Sequence, residues 1–189
     1  MDLNVPRFFA LIIGIDSYPG LRNKVYLEGA CNDARNIHEW LSQDVLAGTD
    51  NRNVILLLDK KATWEAIIEN LRVLTSNNNI QPSDPILIYY AGHGSVAKTP
   101  PNWRYKGMGG HGESSTQSLI EVLLPHDVYT PHWAPQEQQV QPIPDTTINR
   151  LLRELAQKSD NIVRLSSLLQ SLPYFLTLRH RRLSLIPAF

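Results

Sequence analysis

One histidine of the sequence lies at a position suited to a catalytic side chain. His93 lies between Gly92 and Gly94, directly after the apolar run 85–91. Glycine has no Cβ, so this segment can turn tightly and a ligand can approach its backbone closely. A histidine in that position can act as a general base, and the N–H group of Gly94 can donate to a developing oxyanion. The alternative is a histidine that only caps the end of a strand, and the spacing alone does not decide between the two.

The elements before His93 predict how it is positioned. Residues 8–15, 54–58 and 85–91 are continuous apolar runs, which are typical of strands covered on both faces, as in parallel sheets. Between them, apolar residues recur at helical spacing from Ala30 to Leu41 and from Trp64 to Leu74. This order predicts an α/β fold with a mostly parallel sheet. Sites in such folds lie outside the carboxyl ends of the strands, where His93 falls.

The chain after His93 is less regular. Residues 95–117 are polar and rich in Pro and Gly, and a stretch of this length predicts a functional or mobile loop. Residues 119–124 form a short apolar strand candidate, and a second loop runs from Thr130 to Pro144. Asp145 is the predicted N-cap of a third helix, because apolar residues follow it at helical spacing.

Composition excludes several classes of function. The chain has 189 residues with 18 Lys+Arg against 18 Asp+Glu, so it offers no net positive field for nucleic acid. The single cysteine cannot form an internal disulfide, and the first residues are not an apolar leader, which together predict a reducing, cytoplasmic location. No apolar run approaches the roughly 18 to 20 residues of a membrane span. The expected partners are therefore peptides or proteins, not nucleic acid or membrane.

Three motifs in order carry a family resemblance: FALIIGIDSYPG, LEGACNDA and ILIYYAGHGS. Together they resemble the caspase and metacaspase group of cysteine peptidases, especially the caspase-like proteins of fungi, over roughly residues 8 to 160. The resemblance implies a three-layer caspase-like fold and peptide hydrolysis by a Cys/His dyad through an acyl-enzyme, a chemistry linked in this group to apoptosis. It identifies His93 as the catalytic histidine and the N–H group of Gly94 as an oxyanion donor.

The same comparison bears on the substrate. Caspases have an arginine two residues before the glycine of the second motif, where this chain has Leu27, whereas metacaspases have an Asn-Asp pair, found here as Asn32-Asp33. The resemblance therefore implies that Asp33 binds Arg or Lys at the cleaved position. The alternative is that Asp33 is only a carboxylate at a helix N-terminus. The serine that the family often has two residues before its histidine is Ala91 here, which weakens the pocket assignment.

The resemblance ends where the nucleophile is expected. The family continues into a D-[SC]-C-H-S-G motif, but this chain reads NIVRLSSLL from Asn161. Ser166 and Ser167 lie at about the right distance without the surrounding motif, and Cys31 lies in the region of the specificity pocket. We therefore expect a caspase-like endopeptidase domain whose nucleophile is missing. The alternative is a non-catalytic module that binds peptides or partner proteins in the same crevice.

The sequence divides into a caspase-like domain, residues 1–160, and a divergent tail, residues 161–189, which contains no Asp, Glu, Lys or Gly. One interpretation of the tail is a strand starting at Ile162-Val163 and an amphipathic helix from Leu165 to Leu172. The other is a segment foreign to the fold. The second leaves the sheet incomplete beside the third strand, with an open edge prone to self-association.

No cofactor is predicted. Some metacaspases bind calcium through a cluster of aspartates, but the segment Ile143-Pro144-Asp145 retains one carboxylate where a pair is common. The histidine spacings fit no zinc signature. A flavodoxin-like nucleotide binder is disfavoured, because no Gly-rich phosphate loop follows the first strand.

Overall fold

The computed structural model of the chain describes residues 7–21, 26–45, 53–98, 119–131 and 135–168. Its elements are, in chain order, β1 (Phe9–Gly14), α1 (Ala30–Trp40), β2 (Val54–Leu58), α2 (Trp64–Ser76), β3 (Ile86–Gly92), β4 (Gly94–Lys98), β5 (Leu119–Leu123), β6 (Ile143–Pro144), α3 (Asp145–Leu155) and β7 (Ile162–Leu168). A π-helical turn, Leu41–Val45, extends α1. Short 3₁₀ turns lie at Asp59–Lys61 and Gln136–Gln138.

Four parallel strands form the central sheet in the order β2-β1-β3-β7. The prediction that the first three apolar runs are adjacent and parallel is confirmed. Every residue of β1 and β3 is buried, because helices cover both faces. Leu11 and Ile13 pack in one core with α2 and α3, whereas Ala10 and Ile12 pack in a second core with α1. The continuous apolar pattern of β1 follows from this three-layer arrangement.

The helices begin close to the predicted positions. Thr63 is the N-cap of α2 and its hydroxyl accepts from the N–H of Ala66 at 3.2 Å. Asp145 is not the N-cap of α3 as predicted but its first residue, preceded by Pro144 as the N-cap. Asp145 thus contributes through its negative charge at the helix N-terminus.

A second, antiparallel sheet has the order β4-β5-β6. The prediction that residues 95–117 form a single loop is wrong at its start, because residues 94–98 pair with β5 as strand β4. The predicted strand at residues 119–124 is confirmed as β5. Residues 99–118, the rest of the predicted loop, lie outside the described residues.

The tail contributes a strand to the central sheet. Strand β7 pairs with β3 over its whole length, from Ile86↔Ile162 to Gly92↔Leu168. The expectation of an unpaired edge beside the third strand is therefore wrong, and so is a helix beginning at Leu165. The strand is tied to α3 by Arg164, whose Nη1 donates to Asn149 Oδ1 at 3.3 Å. Residues 169–189 lie outside the described residues, and the division at residue 160 stays a prediction.

In the part of the chain that the structure describes, no helix combines the length and the apolar character needed to cross a membrane.

Candidate active site

His93 follows β3 directly and precedes β4, at the carboxyl end of the central sheet. Its ring packs against Tyr18, with ring centroids 5.1 Å apart and an interplanar angle of 52°. Its Nε2 atom is buried and has no hydrogen-bond partner among the described residues. Burial lowers the pKa of His93, because it disfavours the charged form. The imidazole is therefore neutral at neutral pH, the state in which it can accept a proton.

Two buried tyrosines hold the backbone of His93. The N–H group of His93 donates to Tyr18 Oη at 2.7 Å, and Tyr90 Oη donates to the carbonyl oxygen of His93 at 2.7 Å. A Cβ on Gly92 would lie 2.7 Å from Tyr90 Oη and 2.8 Å from Tyr18 Oη. Glycine is thus needed at this position so that both hydroxyl groups can approach.

Both phenols stay protonated at physiological pH. Burial raises the pKa of Tyr18 to about 12. Burial, with the neighbouring Tyr18, raises the pKa of Tyr90 well above its usual range. Sequence reasoning missed the role of both residues, although both lie inside the motifs that carry the family resemblance.

The N–H group of Gly94 is not used by the ladder between β4 and β5. Gly94 pairs with Leu123, and the N–H of Leu124 donates to the carbonyl of His93 at 3.1 Å. In an antiparallel ladder this pattern makes Gly94 and Leu123 a pair without mutual hydrogen bonds, so the N–H of Gly94 points away from β5. That direction is compatible with the predicted oxyanion role, which stays a prediction.

Asp33 lies in the first turn of α1, where its side chain is exposed. Burial and the nearby Asp33 carboxylate together raise the pKa of Tyr89, a residue of β3. The carboxylate therefore lies on the α1 side of β3, near the strand that leads to His93. That Asp33 and His93 face one crevice stays a prediction.

Cys31 is a buried, neutral thiol. Its Sγ donates to the carbonyl oxygen of Gly14 at 3.2 Å. Burial raises the pKa of the Cys31 thiol to about 12, with a further contribution from the carboxylate of Asp59. A thiol with such a pKa carries almost no thiolate at neutral pH, so Cys31 is unsuited to nucleophilic attack.

Asp59 anchors the loop that follows β1. Its Oδ1 accepts from the N–H groups of Asp16 at 2.9 Å and Ser17 at 3.0 Å, and from Ser17 Oγ at 3.2 Å. Burial alone would raise the pKa of Asp59, but hydrogen bonds from Ser17, Asp16 and Cys31 outweigh it and lower the pKa. Sequence reasoning missed this residue, whose backbone φ of 42° is also unusual for a residue other than glycine.

Side-chain ligand atoms of Asp16, Cys31 and Asp59 lie within 4.8 Å of one another. All three have hydrogen-bond partners in this structure, including the N–H of Gly29, which donates to Asp16 Oδ1 at 3.3 Å. These bonds account for the cluster as a structural junction between the ends of β1 and β2 and the first turn of α1.

Ser17, His126 and Asp59 come together without forming a catalytic triad. In a triad the histidine lies between the carboxylate and the hydroxyl. Here Ser17 Oγ donates directly to Asp59, and His126 Nδ1 lies 2.8 Å from the carbonyl oxygen of Ser17. Since a carbonyl only accepts, Nδ1 carries the proton and cannot take one from the Ser17 hydroxyl.

Ser166 and Ser167 lie inside the sheet. They pair with Tyr90 and Ala91 of β3, and the strand continues past them to Leu168. A nucleophile in partnership with His93 is expected beyond the carboxyl end of the strand. Residue 169, which comes next in sequence after β7, lies outside the described residues.

Asp145, the carboxylate considered for calcium, is the first residue of α3, and calcium takes six or more oxygen ligands. The neighbouring residue is Thr146, whose hydroxyl is buried without a hydrogen-bond partner in the described part of the chain. The carboxylates of Asp145 and Glu121 act instead on the guanidinium of Arg164. A permanent cation of the chain thus already lies near both carboxylates.

The comparisons with known proteins agree with this architecture. The family model described as Caspase domain matches residues 7–158. Metacaspase-1 of Saccharomyces cerevisiae is 35% identical over 92 residues, which are 45% of this chain and 19% of that protein. Metacaspase-1 of Candida glabrata is 33% identical over 96 residues, 47% of this chain and 22% of that protein.

A probable protease of a Desulfuromonadales bacterium is 31% identical over 103 residues, 48% of this chain and 12% of that protein. The chain therefore spans less than a quarter of the length of these relatives. A solved structure of a protein from Geobacter sulfurreducens shares the fold, with a TM-score of 0.54 and 17% identity, covering 85% of this chain and 49% of that one. With the family match covering most of the chain, from before β1 to the end of α3, the protein belongs to the caspase-domain family of cysteine peptidases.

Proposed function

We propose that this chain supplies the general base and the substrate pocket of a caspase- or metacaspase-like endopeptidase that cleaves after Arg or Lys. The observation that carries the proposal is His93, a neutral histidine at the carboxyl end of β3 with a buried, unpartnered Nε2 atom. Such an imidazole can accept the proton of a thiol.

The proposed reaction has two steps. A cysteine thiol gives its proton to His93 while its sulfur attacks the carbonyl carbon of the scissile peptide, and the N–H of Gly94 donates to the oxyanion. The C–N bond then breaks, the proton passes to the leaving amine, and water hydrolyses the thioester. Asp33 pairs with the cationic side chain of the residue before the cleaved bond.

The sheet register supports a place for the nucleophile. Gly92 pairs with Leu168, so β3 and β7 end together. The next residue in sequence is His93 after β3 and Leu169 after β7. When the D-[SC]-C-H-S-G motif is laid on residues 167–172, its nucleophile falls on Leu169 and its serine falls on Ser171. We infer that this chain has the base of the dyad and lacks its thiol.

The unmodified chain is therefore expected to show no thiol-dependent cleavage of Arg- or Lys-containing peptides. Cleavage that iodoacetamide abolishes would contradict the missing nucleophile. The Cys31→Ala variant is the control, because any residual activity should survive it.

Restoring the motif tests the role of His93 directly. The graft combines five substitutions: Ser167→Asp, Leu168→Ser, Leu169→Cys, Gln170→His and Leu172→Gly. We expect a peptidyl chloromethyl ketone with Arg next to the reactive group to alkylate the grafted thiol faster than it does when His93→Gln is added. Asp33→Asn should slow labelling by the Arg probe and leave labelling by a Leu probe unchanged. Equal rates with and without His93 would contradict the base role.

The alternative function is a non-catalytic module that binds peptides in the same crevice. It is favoured by the sequence at the end of β7, which reads Ser-Ser-Leu instead of the nucleophile motif. Binding of an Arg-containing peptide to the unmodified chain, combined with a graft that does not react, would select it.

The cellular setting is part of the proposal. A reducing, cytoplasmic location is supported by the single cysteine, which is free and buried. A role in apoptosis is supported by family membership alone. Localisation of a tagged full-length chain in cells tests the compartment.

A further inference from the structure

We propose that Tyr18 is a positioning residue for His93, acting together with Tyr90. The inference rests on the proposed function, in which His93 is the general base. A base must be held within hydrogen-bonding reach of the proton that it removes. Gly92 and Gly94, which flank His93, have no side chains that could pack against its ring, so contacts from other residues must orient it.

Tyr18 contacts His93 at two points. Its hydroxyl oxygen accepts the N–H of His93 at 2.7 Å, and its ring packs on the imidazole with centroids 5.1 Å apart. The same hydroxyl group donates to the carbonyl oxygen of Ile15 at 3.4 Å. Tyr18 is only 1% exposed, so its phenol is a fixed buried link between the residues that follow β1 and those that follow β3.

Tyr90 holds the other side of the same residue. Its hydroxyl donates to the carbonyl oxygens of His93 at 2.7 Å and Leu124 at 3.1 Å. The N–H and the carbonyl group of His93 are thus each bound by one phenol. The absence of a Cβ on Gly92 allows both oxygens to come this close.

The loop that carries Tyr18 is bound to Asp59, the residue after β2. Tyr18 follows Asp16 and Ser17, whose N–H groups both donate to Asp59, immediately after β2. A chain of hydrogen bonds therefore links the ends of β2, β1 and β3, in their order across the sheet.

Nuclear magnetic resonance of the isotope-labelled full chain tests the proposal without any hydrolysis. In Tyr18→Phe we expect the His93 amide to exchange with solvent about tenfold faster, because its acceptor is lost. We also expect the pKa of the His93 imidazole to rise toward its ordinary value as water gains access. The matched control is Tyr89→Phe, which removes the hydroxyl of another buried tyrosine of β3 on the face toward α1. In the control, the His93 amide and imidazole should behave as in the unmodified chain.

Amides of Leu87 and Ile88 in β3 provide an internal reference, since a general loss of stability would accelerate their exchange as well. An unchanged His93 amide in Tyr18→Phe, or an equal change in Tyr89→Phe, would overturn the proposal. If Tyr18→Phe does not fold, Tyr90→Phe takes its place, with the carbonyl ¹³C shift of His93 as the readout and no shift as the contradicting result. Failure here leaves the peptidase proposal standing, because that proposal is tested by the labelling of the grafted thiol.

Discussion

At the scale of single residues, burial and hydrogen bonding decide which side chains can react. His93 is held neutral by burial, and the same effect makes Cys31 inert, because an acid and a base both lose their charged forms when desolvated. A neutral imidazole is a competent base, whereas a neutral thiol is a poor nucleophile. The one thiol of the chain therefore cannot replace the missing cysteine.

Cys31 should resist alkylation in the folded chain. Its pKa is raised to about 12, and below the pKa each further unit lowers the thiolate fraction tenfold. We expect iodoacetamide at mildly alkaline pH to modify the native chain roughly a thousandfold more slowly than the chain unfolded in urea. Mass spectrometry measures both rates, and similar rates would show that the thiol is accessible and ionised.

Asp59→Asn should destabilise the fold by about 1.5 to 3 kcal/mol, the range for hydrogen bonds to a charged group. Asparagine tolerates the positive φ at this position, so the loss reports on the carboxylate. The folded pKa of Asp59 is lowered, so its contribution is present above the unfolded value of about 3.9 and is lost as the pH falls through the folded value.

Urea unfolding of both chains at a series of pH values measures this difference. The gap between them should be full near neutral pH and should shrink below about pH 3.9. Asp160→Asn, at an exposed position, is the control and should leave stability nearly unchanged. A gap that is independent of pH would show that the charge of Asp59 is not the cause.

At the scale of elements, the sequence predicted those whose pattern is set locally. Strands β1, β2 and β3 are continuous apolar runs, and apolar residues in α1 and α2 recur at helical spacing, so the local pattern of each is enough to identify it. Strand β4 was missed because Gly94, Ser95 and Lys98 have no apolar pattern, and the segment becomes a strand only by pairing with β5. The full length of β7 was missed for the same reason. This segment is a strand because it pairs with β3, and the paired residues Ile86 and Ile162 are 76 residues apart in sequence.

Successive backbone amides along β7 should alternate between slow and fast hydrogen exchange. Ile86 N–H donates to the carbonyl of Asn161 at 2.9 Å, and in a parallel ladder the following bonds come from every second residue of the partner strand. The amides of Val163, Leu165 and Ser167 should therefore be protected by β3. The amide of Ser166 should exchange early, because it points to the side of β7 away from β3. Uniformly fast exchange across β7 would support the view that the tail is foreign to the fold.

At the scale of the whole molecule, the position of the candidate site could be predicted from the sequence, but the residues that hold His93 in place could not. The family motifs and the rule for strand ends both placed His93 at the carboxyl edge of the sheet, where the structure has it. The roles of Tyr18, Tyr90 and Asp59 depend on contacts between segments as distant as 75 residues in sequence, such as the bond from His93 to Tyr18. No local pattern reports such contacts.

Among the described residues the central sheet has two edge strands, β2 and β7. No described strand pairs with β7 on the side away from β3. The strand is seven residues long and carries one charge and no proline, so it has few of the features by which natural proteins protect their edges. We expect the chain to self-associate through antiparallel pairing of two copies of β7.

Sedimentation over a range of concentrations tests this association, and Ser166→Pro is the informative variant. Ser166 is a position whose N–H points away from β3, and a proline is tolerated in an edge strand where the N–H faces outward. The substitution removes one outward donor and should shift the chain to monomer without unfolding it, whereas Ser166→Ala, the matched control, should associate as before. Association that persists unchanged in Ser166→Pro would place the contact elsewhere on the molecule, because strand pairing along β7 cannot continue past the proline.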